Sequence, residues 1–123
     1  MPATRKISPA FRAFLLPLIL GLLSAPLLAA PAEQVIQITA QRFHYTPNEI
    51  NLKKGVPVVL EFTSLDVKHG FTCPEFKIRA DIPPKKVTKV RFTPDRVGTF
   101  EFHCDNFCGS GHADMAGKFI VSE

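Results

Sequence analysis

Cys104, Cys108, His112 and Met115 fall within the twelve residues Cys104-Asp105-Asn106-Phe107-Cys108-Gly109-Ser110-Gly111-His112-Ala113-Asp114-Met115 near the C-terminus. Two thiols, an imidazole and a thioether make a soft donor set, and soft donors select copper ahead of the other common metals. Thiolate and thioether favour copper(I), whereas imidazole suits both oxidation states, so such a set can hold the metal through a one-electron cycle. Redox transfer is therefore the first chemistry to consider. Gly109, Gly111 and Gly117 supply the backbone freedom that a tight ligand loop needs.

A loop alone cannot close a shell around a metal, so the remaining ligand must come from elsewhere in the chain. His69, at the start of an apolar segment and beside Gly70, is the candidate. A lone histidine there is ordinarily a packed or solvated side chain; the donor-rich loop is what raises it to a ligand. Cys73 reads as a small buried hydrophobe. His103 points away from Cys104 and reads as a surface residue. Asp105 and Asp114 are hard donors, expected to solvate the loop rather than bind the metal.

The elements that must position these side chains read as short strands. Gln34 to Ala40 and Glu49 to Lys53 alternate apolar and polar residues, and Pro57 to Phe62, His69 to Cys73, Lys86 to Phe92, Thr99 to Cys104 and Lys118 to Val121 are rich in β-branched or aromatic residues. Pro47-Asn48 and Lys54-Gly55 read as hairpin turns. Along Thr99 to Cys104, Phe100, Phe102 and Cys104 share one side, which aims the thiol inward at a strand end. No segment shows a helical period over ten or more residues, and turn signals recur every eight to twelve, so the expectation is an all-β antiparallel sandwich of about seven or eight strands.

Residues 1–32 read as a secretory leader, with Arg5, Lys6 and Arg12 preceding the apolar run Phe14 to Leu28 and the small-x-small site Ala30-Pro31-Ala32. A membrane association would follow only if this segment were retained as an anchor. Cleavage removes three of the fifteen lysines and arginines, leaving twelve against eleven acids in residues 33–123. That near-neutral balance argues against nucleic acid as a partner. The expected location is periplasmic, an oxidising space in which unligated thiols tend to pair.

Asp66-Val67-Lys68-His69-Gly70-Phe71, the spacing Cys104-x3-Cys108-x3-His112-x2-Met115, the Phe43 to Pro47 region and the closing Gly117-Lys118-Phe119-Ile120-Val121 together resemble the copper-A domain of cytochrome c oxidase subunit II, in the cupredoxin superfamily. The likeness runs from about residue 34 to 123. It implies a Greek-key cupredoxin sandwich carrying two copper ions bridged by Cys104 and Cys108. His69 with Met115 would complete one copper, and His112 with the Asn106 carbonyl the other. It further implies a redox partner such as a cytochrome c or a terminal oxidase or reductase, with no catalytic residues of the domain's own.

Three features depart from that family. Asn106 stands where glutamate is often found, the chain has no tryptophan, and no membrane hairpin of the usual subunit II kind is seen. Phe43, His44 and Tyr45 are the nearest aromatic substitute for the missing tryptophan, although packing is their simpler role. Other readings stay open. Cys108, His112, Met115 and His69 alone would suffice for a mononuclear type 1 copper, in which Cys104 is unneeded. A periplasmic copper chaperone would use the same donors in a more open site. A structural zinc site is disfavoured by Met115, and a hydrolytic Cys-His enzyme by the placement of both thiols in the loop.

Overall fold

The computed structural model describes residues 2–4, 21, 24–29 and 32–123. The segment read as a leader lies largely outside these described residues. From Gln34 onward the chain forms nine strands: β1 (Gln34–Gln41), β2 (His44–Thr46), β3 (Glu49–Lys53), β4 (Val58–Ser64), β5 (His69–Cys73), β6 (Ile78–Ile82), β7 (Thr88–Phe92), β8 (Gly98–His103) and β9 (Ala116–Ser122). The only helical pieces among the described residues are two single 3-10 turns, Pro74–Phe76 and His112–Asp114. No helix among them is long and apolar enough to cross a membrane.

The strands build two facing sheets, one in the order β2-β1-β4-β7 and the other β3-β9-β8-β5-β6. The all-β sandwich expected from the turn spacing is present, with two more strands than the seven segments the alternation marked. β2 has three residues, too few to show a period. β6 is Ile-Arg-Ala-Asp-Ile, in which alanine and aspartate blunt the strand signal.

Two pairings are parallel, β1 with β4 and β3 with β9. Neither Pro47-Asn48 nor Lys54-Gly55 is a hairpin turn, since β2 and β4 lie in one sheet and β3 in the other. Lys54-Gly55 carries the chain from β3 in one sheet to β4 in the other, and β3 pairs instead with β9, with Ile50 and Leu52 buried.

Between the sheets sits an aromatic core. Phe71 packs against Phe62, Phe102 and Phe119 with ring centroids 4.6, 5.2 and 6.2 Å away, and Tyr45 meets Phe102 edge-on at 5.4 Å. Offset and edge contacts of this kind add to the burial of the rings themselves. This core fills the space directly beneath the ligand residues.

Pairing also decides which strand ends meet. β5 and β8 are antiparallel neighbours, with Thr72 opposite His103. The first residue of β5, His69, thus lies at the same end of the sheet as Cys104, which follows the last residue of β8. β8 and β9 pair with His103 opposite Ala116, so the segment between them is a long hairpin connection whose mouth is closed by the Cys104 N–H donating to the Met115 carbonyl at 3.0 Å.

Candidate metal centre

His69, Cys104 and Cys108 are all buried, and one donor atom from each lies within 4.8 Å of the others. The two sulfurs stand 3.8 Å apart. Around Cys104, the Asn106 carbonyl oxygen approaches the sulfur to 3.1 Å and the Gly70 N–H donates to it at 3.4 Å. Around Cys108, His112 Nδ1 lies 3.7 Å and Met115 Sδ 3.9 Å from the sulfur. The six residues singled out in the sequence are thus gathered at one end of the sandwich.

Each arrives for a local reason. Phe71 and Cys73 alternate inward along β5, and His69 two residues earlier must share their face. Cys104 continues the inward row of Phe102. Met115 precedes β9 and is fully buried beneath the loop. The loop itself rests on Phe43, whose ring occupies the space where side chains at positions 109 and 111 would begin, 2.8 and 2.5 Å from an added Cβ. Gly109, at φ 143°, adopts a backbone conformation that few other residues tolerate.

His69 shows why the cluster is more than core packing. Its Nε2 bonds Asp66 Oδ1 at 2.7 Å, and the side chain is completely buried. Burial raises the Asp66 carboxyl, but the N–H groups of Arg42 and Val67 and the bond to His69 outweigh it and hold the group at about 2. Asp66 is therefore a carboxylate at neutral pH and only accepts, so the ring donates from Nε2, and in the neutral imidazole Nδ1 is left as a bare lone pair. Nδ1 is the one buried side-chain nitrogen or oxygen without a hydrogen-bond partner among the described residues.

An orphaned buried acceptor costs about 1–3 kcal/mol, and here it belongs to a side chain clustered with the Cys104 and Cys108 sulfurs. A soft, thiophilic cation would supply the missing partner, and this chain's donors fit copper. Burial, reinforced by the neighbouring Cys104 sulfur, pushes the Cys108 thiol up to about 11. Cys108 therefore keeps its proton at neutral pH until a cation takes the proton's place.

Several contributors gave little or no signal in the sequence. Asp66 belonged to the Asp66-Val67-Lys68-His69 stretch, but only the fold shows that it orients the ring. Arg42 donates from its backbone to Asp66 Oδ2 and from Nε to the Cys108 carbonyl, both at 2.8 Å, and no pattern announced it. Tyr45 is buried, and its hydroxyl donates to the Gly70 carbonyl at 2.6 Å. Burial keeps that hydroxyl protonated far above its ordinary range. Asp105 does not merely solvate the loop, since it accepts from Arg79.

Cys73 is buried on β5, its thiol raised chiefly by burial, and it makes no part of the three-residue cluster. His103 and His44 are exposed. Phe107, at the tip of the loop, is 77% exposed with its ring 5.7 Å from that of His112. It borders a cleft of about 320 Å³ that Arg42, Val67 and Lys68 also line.

A family model described as a cupredoxin-like domain matches residues 13–121. The chain belongs to the cupredoxin-like family. Within it, subunit 2 of cytochrome c oxidase from Thermus thermophilus is 36% identical over 93 residues, covering 76% of this chain and 69% of that one. This likeness places the cupredoxin-like chain with the oxidase subunit 2 proteins. In a second subunit 2 sequence from the same species, the 93 matching residues make up 55% of the length.

Nitrous-oxide reductase from Ralstonia nicotianae is 34% identical over 90 residues, 70% of this chain but 14% of the reductase. The cupredoxin fold is shared with the periplasmic domain of subunit II of cytochrome oxidase of Bradyrhizobium japonicum, with a TM-score of 0.69 at 21% identity over 77% of this chain and 88% of that one.

Proposed function

We propose that this cupredoxin is an exported electron carrier that holds two copper ions between Cys104 and Cys108. His69, His112, Met115 and the Asn106 carbonyl complete the shell. The observation that carries the reading is the buried, unpartnered Nδ1 of His69, on a side chain clustered with the Cys104 and Cys108 sulfurs. Cys104 argues for two ions rather than one. A single copper is satisfied by His69, Cys108, His112 and Met115, whereas here a further thiol lies 3.8 Å from Cys108, with a backbone carbonyl 3.1 Å from it.

Bound copper would supply reversible one-electron chemistry shared across the two sulfurs. The protein's task is to keep the geometry the same in both oxidation states. Asp66 fixes the tautomer and rotation of His69, the Gly70 N–H steadies the Cys104 sulfur, and the closed hairpin mouth holds Cys104 against Met115. Hydrogen bonds of this outer kind tune both affinity and potential. Burial of His69, Cys104, Cys108 and Met115 excludes water, which favours electron transfer over release of the metal to a partner and weighs against a copper-delivery role.

Matching stretches in an oxidase subunit and in a small part of a reductase support a module that passes electrons to different catalytic partners. The partner would be a cytochrome c, a terminal oxidase or a reductase, meeting the domain at Phe107 beside the half-buried His112. Residues 1–32 act as the export leader in this reading, and residues 33–123 are the functional domain.

Copper counted per chain after loading, with the electron paramagnetic resonance spectrum, tests the proposal. Two coppers with a seven-line pattern are expected, and Cys104→Ser should fall to one copper or none. One copper per wild-type chain with a four-line spectrum that survives Cys104→Ser would overturn it.

A further inference from the structure

We infer that Arg79 and Asp105 are positioning residues for the metal centre, acting as a strap that presses the ligand loop onto β5. The inference rests on the reading of Cys104 and Asn106 as ligands, the two residues that flank Asp105. Arg79 lies on the edge strand β6, opposite Thr72 of β5. Its guanidinium reaches across β5 and grips Asp105 with two parallel contacts, Nε to Oδ2 at 2.5 Å and Nη2 to Oδ1 at 3.2 Å. Nη2 also donates to Asp81 Oδ1 at 2.8 Å, and Asp81 Oδ2 lies 3.8 Å from Lys68 Nζ. The chain of charges therefore runs from the residue before His69 to the residue after Cys104.

What lies under the strap gives it a role. Asp105 Oδ1 occupies the space a Cβ at position 70 would need, so the carboxylate is seated directly on Gly70. The Gly70 N–H is the donor to the Cys104 sulfur, and its carbonyl accepts from Tyr45. On the loop side, Asn106 is tied down by Nδ2 donating to the Lys68 carbonyl at 3.3 Å, while its own carbonyl faces the Cys104 sulfur. Pulling Asp105 onto Gly70 thus sets the separation between the strand that carries His69 and the loop that carries Cys104 and Asn106.

An isolated exposed ion pair contributes little to stability. Two features separate this one from that class. The contact is a fork-to-fork pairing, which fixes orientation as well as distance, and the Asp105 side chain is only 23% exposed against 50% for Arg79. The expected consequence is local, falling on loop geometry more than on the stability of the fold.

The test is Arg79→Met, which keeps the aliphatic stem and removes the fork, with Arg79→Lys as the conservative partner and Asp105→Asn to read the contact from the other side. Two measurements are made. In the metal-free protein, amide hydrogen exchange at Gly70 should quicken in Arg79→Met and Asp105→Asn, with Arg79→Lys between these and wild type. In the copper-loaded protein, release to a competing chelator should be about 10–100-fold faster, the usual cost of losing an outer-shell partner.

Unchanged exchange at Gly70, or unchanged copper release, overturns the inference. So does a lower melting temperature with neither of these changes, which marks the pair as ordinary surface support. Should wild type bind no copper, the functional reading fails while the Gly70 exchange rate still decides whether the strap exists.

Discussion

Replacing His69 by Phe separates a ligand from a structural histidine. In the metal-free protein the substitution removes the bond from Nε2 to Asp66, a charge-assisted contact worth about 1.5–3 kcal/mol. It also removes the orphaned Nδ1, whose burial costs about 1–3 kcal/mol. Phe adds about 1 kcal/mol of apolar transfer at a site that is completely buried and adjoins the aromatic core. Asp66 is not stranded, since it keeps the N–H groups of Arg42 and Val67 and its side chain is 31% exposed to water. The opposing contributions nearly cancel, so metal-free His69→Phe should lie within about 1 kcal/mol of wild type, or about 4–8 °C in melting temperature for a domain of this size.

By contrast, His69→Ala leaves a cavity and should cost about 2–4 kcal/mol. The assay is urea denaturation of the metal-free proteins, followed by copper titration of the same samples. His69→Phe should retain the fold yet fail to hold two coppers. A loss of more than about 3 kcal/mol in metal-free His69→Phe would show that the histidine is kept for the core, and would refute the argument from the unpartnered nitrogen.

Three further outcomes are expected. With their sulfurs 3.8 Å apart, Cys104 and Cys108 should oxidise to a disulfide in metal-free protein exposed to an oxidant; thiol titration under denaturing conditions should then find one reactive group, the buried Cys73, instead of three. Gly70→Ala should drive Asp105 off its seat, lower stability by about 1–3 kcal/mol and abolish the two-copper spectrum, and a normal spectrum would show that loop and strand can separate at no cost to the site. Because Asp66 is held at about 2 against an ordinary 3.8, its stabilisation of the metal-free fold is complete above about pH 4 and is lost as pH falls through about 2. Asp66→Asn should flatten that acid branch in urea midpoints measured from about pH 6 to about pH 2, and an unaltered branch would remove Asp66 from the account.

The sequence by itself determined the donors and the local form of the elements that carry them. Cys104, Cys108, His112 and Met115 are close in the chain, and the alternation of Phe100, Phe102 and Cys104 turns the first thiol inward whatever the rest of the fold does. Side-chain direction along a strand depends only on a period of two, so it is legible without partners. Which strands lie beside one another is not, because pairing joins residues far apart in sequence and is settled by competition for the core.

Tertiary structure alone therefore decided that β3 runs parallel to β9 and not back along β4, and that the start of β5 meets the end of β8. That meeting set His69 beside Cys104 and Cys108, while Asp66, three residues earlier in the chain, bonds one ring nitrogen and the other has no partner. It also brought Arg79 across to Asp105, twenty-six residues away in the chain, a contact that no local pattern encodes.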